Sequence, residues 1–141
     1  MTKELLTINS ILAVIGATVT NALGGWDLSL QTLAALIVLD YLTGIVIAIL
    51  LKQLSSEIGF KGLAKKGFII AIVYLGTLAD RAIGTDFLRT LVIMFYIANE
   101  GISILENAGR LGVPYPAAIK NILVQLKQKN EEEGAENVDS D

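Results

Sequence analysis

The chain contains no cysteine and no histidine. These absences remove disulfide frameworks, thiol chemistry, histidine-based catalytic triads and any zinc site built from Cys and His. Other recognisable chemistry is also missing: there is no metal-ligand cluster, no phosphate-binding glycine loop and no nucleophile–base pair. Neither an enzyme nor a cofactor is therefore expected. No internal repeat suggests a transporter with related halves. The basic residues lack the interleaved aromatics of a nucleic-acid platform, so no nucleic-acid partner is expected. The N-terminus does not read as a signal peptide, because Lys3-Glu4 is nearly neutral and residues 22–25 make a poor cleavage site.

What the chain has in abundance is apolar surface. Of its 141 residues 53% are hydrophobic, and the mean hydropathy is +0.61, an excess that calls for lipid. The net charge of −3 is unevenly spread. Six of the fourteen acids lie within residues 131–141, leaving eleven bases against eight acids in residues 1–130. The first 130 residues read as one membrane domain and 131–141 as a disordered acidic tail.

The dominant stretch is 28–51, whose one formal charge is Asp40. As a helix it would be about 36 Å long, enough to cross a hydrocarbon core of about 30 Å with some tilt. A carboxylate at the bilayer midplane costs roughly 2.5–3.5 kcal/mol on insertion scales, so Asp40 should face protein or water. Asp40, Thr43, Gly44 and Ala48 share one face, and the two small residues mark where a neighbouring helix can pack. Upstream, residues 5–23 form a weaker candidate span, either crossing or lying in the interface. Ser10, Ala13, Ala17, Thr20/Asn21 and Gly24 make a small, polar face on it. Gly24-Gly25-Trp26-Asp27 reads as a tight turn with Trp26 at headgroup level.

Lys52 to Lys66 reads as a hydrophilic connection in which Ser55, Ser56, Gly59 and Gly62 interrupt helix. Its lysines, Lys52, Lys61, Lys65 and Lys66, place it in the cytoplasm by the positive-inside rule. Residues 67–83 are a minimal span ending at Asp80-Arg81, which can pair with each other or with Asp86 and Arg89. The fourth span, 87–106, is apolar in its outer half. Tyr96, Asn99, Glu100, Ser103, Glu106/Asn107 and Arg110 then recur on one face. That face either lines water or a subunit interface, or marks where the helix leaves the bilayer. Asp40, Asp80 and Glu100 could bind a cation or relay protons, but their sequence separation fixes no mutual geometry. Gly109, Gly112, Pro114 and Pro116 end this helix and start another. Residues 116–129 place Ile119, Ile122, Leu123 and Leu126 at helical spacing, with Lys120, Lys127 and Lys129 elsewhere. This amphipathic helix suits an anionic membrane surface or an oligomer contact.

Three stretches carry a resemblance: Leu39-Asp40-Tyr41-Leu42-Thr43-Gly44, the basic run ending Gly62-Leu63-Ala64-Lys65-Lys66, and residues 100–116 with their Glu-x-x-Ser-x-x-Glu-Asn…Gly-x-Pro-x-Pro pattern. Together they resemble the toxin-secretion/phage-lysis holin family over about residues 28–128. Members are often described with three spans, whereas four hydrophobic segments are present here. The resemblance implies a small bacterial inner-membrane protein that homo-oligomerises and opens lesions. Those lesions release a cell-wall hydrolase or a toxin, in some systems under control of an antiholin. The other readings are a small ion channel or ion-coupled transporter using Asp40 and Glu100, and a non-conducting scaffold or antiholin. The expected architecture is an all-α integral membrane protein with four hydrophobic helices, a C-terminal amphipathic helix and both termini cytoplasmic.

With no native cysteine, a Lys61→Cys variant tests this orientation directly. A membrane-impermeant thiol reagent added to intact cells should leave it unlabelled until the envelope is opened. Labelling from outside would invert the topology.

Overall fold

The computed structural model describes residues 2–139. Among them are five helices and no strand: α1 (Lys3–Ala22), α2 (Leu28–Leu50), α3 (Ser56–Ile83), α4 (Phe87–Arg110) and α5 (Ala117–Asp139). The first four are each long and apolar enough to cross a membrane. The central helix is α4, which packs against α2, α3 and α5, while α2 and α3 touch each other only sparingly. The order is therefore α2 and α3 on one side of α4 and α5 on another. α1 buries no residue; Ser10, Ala13 and Ala17 of its small, polar face are exposed, and that face meets other helices only at its C-terminal end, at Asn21 and Gly24. Only beyond its C-terminal end, at Leu23, does the chain enter the core.

The apolar core lies in the half of the bundle nearer the α1–α2 and α3–α4 turns. Leu23, Leu30, Leu33, Ile69, Val73 and Ile93 form it, with Ile37, Ile70, Val92, Tyr96 and Ile97 packed around them. Polar contacts join the helices at the same end. Arg89 donates from Nε to the Leu23 carbonyl at 2.5 Å, from Nη2 to the Gly25 carbonyl at 3.1 Å, and with both terminal nitrogens to the Asp27 carboxylate at 2.7 and 3.2 Å. Arg81 donates to the Asn21 carbonyl at 2.5 Å. Gly24 has φ +84°, and a Cβ there would lie 2.6 Å from Arg89 Nε. Glycine thus serves the turn twice, by conformation and by space. Asp27 also caps α2, accepting from the Leu30 amide. The Arg89 guanidinium bonded to it holds its carboxyl well below the usual carboxylate range.

Asp80 pairs with none of the charged side chains suggested for it. It is buried and accepts from Thr85 Oγ1 at 2.7 Å, the Leu88 amide at 3.0 Å and the Arg89 amide at 2.8 Å. It thereby satisfies two of the unpaired N–H groups at the start of α4, a role that Asp86, at the N-cap position, leaves unfilled. A carboxylate there also complements the positive end of the helix dipole.

Two segments differ from the sequence expectation. Residues 56–66 do not form an irregular connection: they are the first turns of α3, which runs for 28 residues. Ser55 caps it by accepting from the Ile58 amide. Gly59 and Gly62 do not break the helix but let Tyr41 approach it. A Cβ on Gly62 would sit 3.4 Å from the Tyr41 ring, and the Tyr41 hydroxyl donates to the Gly59 carbonyl at 3.3 Å. Gly59, Gly62, Lys66, Ile69, Val73, Gly76 and Asp80 step by threes and fours, one face continuing through the supposed loop into the span. The second difference is α5. It continues beyond residue 129 through the acidic run, with Lys129 and Glu133 paired at 3.6 Å one turn apart, where a disordered tail was expected. Residues 140 and 141 of that run lie outside the described residues.

Gly76 sets how closely α3 and α4 approach. A Cβ there would lie 3.3 Å from the Arg89 backbone, held in place by Asp80. Gly76→Leu is expected to lower stability by about 1–3 kcal/mol through overpacking. Gly67→Ala, with nothing within 4 Å, should be neutral or gain up to about 1 kcal/mol in helix propensity. Thermal unfolding of both variants in detergent checks this pair, and equal melting temperatures would contradict it.

Candidate functional site

Three charges from three helices meet near the middle of the bundle. Lys66 on α3 pairs through Nζ with Asp40 on α2 and with Glu100 on α4. Along their helices, Asp40 lies about 18 Å from the start of α2 and Glu100 about 20 Å from the start of α4, so the cluster sits deep within the spanning segments. Its side chains are largely withdrawn from solvent, with 13% exposure for Lys66, 12% for Asp40 and 3% for Glu100. Unpaired charges at this depth would be strongly unfavourable, whereas a paired and hydrogen-bonded cluster is tolerable.

The neighbouring polar groups complete it. Asn107 donates from Nδ2 to Asp40 Oδ1 at 3.2 Å and to Thr43 Oγ1 at 2.9 Å. Thr43 in turn donates to the Asp40 carbonyl at 3.1 Å. A Cβ on Gly44 would stand 4.0 Å from the Asn107 amide nitrogen, so α4 approaches α2 on the face that carries the small residues. No buried side-chain nitrogen or oxygen among the described residues lacks a partner. Two open clefts flank the cluster. One of about 290 Å³ lies among α2, α3 and α4, lined in part by Asp40, Tyr41, Gly44, Lys66, Ser103 and Asn107. The other, of about 510 Å³, is lined in part by Asp40, Lys66, Tyr96, Asn99, Glu100 and Ser103.

The polar residues read along α4 therefore serve two directions. Tyr96, Glu100, Ser103 and Asn107 turn toward α2 and α3, and Asn99 accepts from Lys127 of α5 at 3.3 Å. Of the Glu106/Asn107 pair, Asn107 enters the cluster and Glu106 is exposed. Among the basic residues, Lys52 and Lys61 are exposed toward the end of the bundle where α2 meets α3, Lys65 is exposed on α3 beside Lys66, and Lys66 itself turns inward. Sequence reasoning assigned Lys66 to the cytoplasmic connection because the nearby glycines and serines resembled helix breakers. The continuous stripe on α3 was the signal that could have placed it.

Chemically, the cluster joins three spanning helices by charge-assisted hydrogen bonds and leaves room for water on both sides. No group of three or more His, Cys, Asp or Glu side chains poised for a metal occurs among the described residues. The ammonium stands between the two carboxylates, so a cation path using both would have to displace Lys66.

Comparison with known proteins places this architecture. A model of the bacteriophage holin family matches residues 17–128. An uncharacterized 14.9 kDa protein of Clostridium perfringens is 46% identical over 117 residues, 82% of this chain and 89% of its own length. An uncharacterized protein of Listeria innocua is 40% identical over 119 residues, covering 84% and 85%. A protein named as a probable holin of Bacillus phage phi105 is 31% identical over 104 residues, covering 73% and 77%. No solved structure matches the chain.

Removing the ammonium should expose what the cluster contributes. Lys66→Met leaves two carboxylates uncompensated and is expected to cost about 3–5 kcal/mol. Adding Asp40→Asn and Glu100→Gln to Lys66→Met should recover most of that loss, because the remaining amides need no counter-charge. Asp40→Asn alone should retain assembly, whereas Asp40→Leu, which abandons Asn107 and Lys66, should disturb it. Unfolding temperatures and crosslinked oligomers measure both effects. A triple variant as unstable as Lys66→Met would show that charge compensation is not the cause.

Proposed function

The chain belongs to the bacteriophage holin family, and we propose that it acts as a homo-oligomeric holin in the bacterial cytoplasmic membrane. Copies accumulate in the bilayer, associate, and open lesions through which a cell-wall hydrolase, or in some hosts a toxin, leaves the cytoplasm. The observation that carries this reading is the family match over residues 17–128 together with the probable phage holin among the relatives. Four long apolar helices support it, as does α1, which buries nothing within its own chain and so offers its surface to lipid or to neighbouring copies.

The orientation we propose puts the α2–α3 turn inside, with Lys52, Lys61 and Lys65, and the α4–α5 connection on the same side. The far end, with Asp27, Asp80 and Asp86 against Arg81 and Arg89, is balanced and faces outward. In a single copy the acidic residues after 130 keep the C-terminus on the cytoplasmic side, since they cannot cross hydrocarbon unaided. An antiholin is a natural further partner for such a protein.

Inducible expression in bacteria, with and without a cytoplasmic cell-wall hydrolase, tests the reading. Culture turbidity should collapse only when both are present, and the hydrolase should be found outside the cytoplasmic membrane. Ion leakage without hydrolase escape would instead identify a small channel, and no leakage at all a scaffold or antiholin.

A further inference from the structure

The holin reading gives α5 no task, yet α5 is tightly placed. Leu123 rests on Gly101, where a Cβ would lie 2.9 Å from Leu123 Cδ1. Lys127 donates to Asn99 and lies 5.6 Å from the centre of the Phe95 ring. Asn130 is buried, and a Cβ on Gly134 would lie 3.3 Å from Leu91 Cδ2. As numbers rise along α5 they fall along α4, so the two helices are antiparallel. α5 does not lie across the cytoplasmic end of the bundle, as a helix on the membrane surface would. It runs back beside the middle and outer half of a spanning helix.

Residues 123, 127, 130 and 134 form the stripe that faces α4. Two positions on, Gln125, Lys129, Glu132 and Glu136 repeat the same steps of four, three and four, and all four are exposed. At about 100° per residue the two stripes are about 200° apart, on opposite sides of α5. The outward stripe thus carries a cation and two carboxylates alongside a membrane-spanning segment, with no other helix of the chain over it. Hydrocarbon cannot solvate such a face. Water can.

Building on the holin reading, we propose that α5 lines the aqueous wall of the lesion. In the assembly each copy turns the Gln125–Glu136 stripe toward the lumen and presents the apolar outer faces of α2 and α3 to lipid. A lone copy in an intact bilayer has no water on that side of α4, so α5 stays on the cytoplasmic side until copies associate. Seating of α5 on α4 and opening of the lesion are then one event.

A cysteine pair, Leu91→Cys with Gly134→Cys, locks α5 against α4 in a chain that has no competing thiol. The protein is reconstituted in vesicles of phosphatidylethanolamine and phosphatidylglycerol that enclose a folded fluorescent protein. Oxidised, crosslinked chains are expected to release this cargo undiminished relative to reduced chains. Loss of release on oxidation, restored by a reductant, would show that α5 must leave α4 and would overturn the proposal. A second measurement does not depend on that pair. A fluorophore on Glu132→Cys should be quenched by aqueous iodide and not by brominated acyl chains, with the reverse for Leu75→Cys on the exposed face of α3. Bromine quenching at both positions would overturn the proposal. If the cysteine-free chain itself releases nothing, the holin reading falls, and this inference with it.

Discussion

One lysine in the wrong solvent organises this bundle. Lys66 lies deep among spanning helices, and its ammonium is tolerable there because Asp40 and Glu100 approach it from the two neighbouring helices. The constraint acts in both directions, since each carboxylate would be equally costly without the lysine. α2 and α3, which touch little directly, are thereby held to a common register on α4. Asn107 completes the hydrogen bonding of the Asp40 carboxylate and bonds Thr43 as well, and open clefts lie beside the cluster. The opposite end of the bundle is secured differently. There Arg89 collects the α1–α2 turn and Asp80 caps α4, using groups that lie at the polar boundary.

The division of labour among helices follows from this. α4 is the element on which everything else packs, apolar toward α2 and α3 near its start, polar toward them near its middle, and covered by α5 on another side. α1 stands outside the packed unit, tied only through its C-terminal turn. The proposed association of copies would draw on a rigid packed unit and on surfaces left unsatisfied within one chain. α1 and the charged outer stripe of α5 are those surfaces, one suited to lipid or a neighbouring copy and the other to water.

The sequence by itself determined where the long apolar helices lie. Hydropathy is a local, compositional property, so helices long and apolar enough to cross a membrane lie close to 5–23, 28–51 and 87–106, and Asp40 could be recognised as a group that must face protein or water. The Gly24–Asp27 turn and the break at Gly112 to Pro116 were legible for the same local reason: glycine, proline and capping residues act on the backbone that carries them. The resemblance to holins rested on short runs of residues and needed no geometry.

Tertiary structure decided which groups meet. Lys66 is one of four lysines in a short basic stretch, and nothing local distinguishes it from Lys65; only the approach of two carboxylates from remote parts of the chain makes it an interior residue. Gly59 and Gly62 read as breakers until Tyr41 is brought against them, because a glycine that ends a helix and one that admits a neighbour are alike in sequence. Asp80 turns from a boundary charge into the cap of the next helix once the turn at Gly84 folds back. α5 is amphipathic in any setting, and only its seat on Gly101 and Leu91 shows that Leu123, Lys127, Asn130 and Gly134 face protein and that its charged outer side stands beside a span. Partition into lipid is set residue by residue, whereas pairing of buried charges and close helix contacts depends on neighbours that only the folded chain supplies.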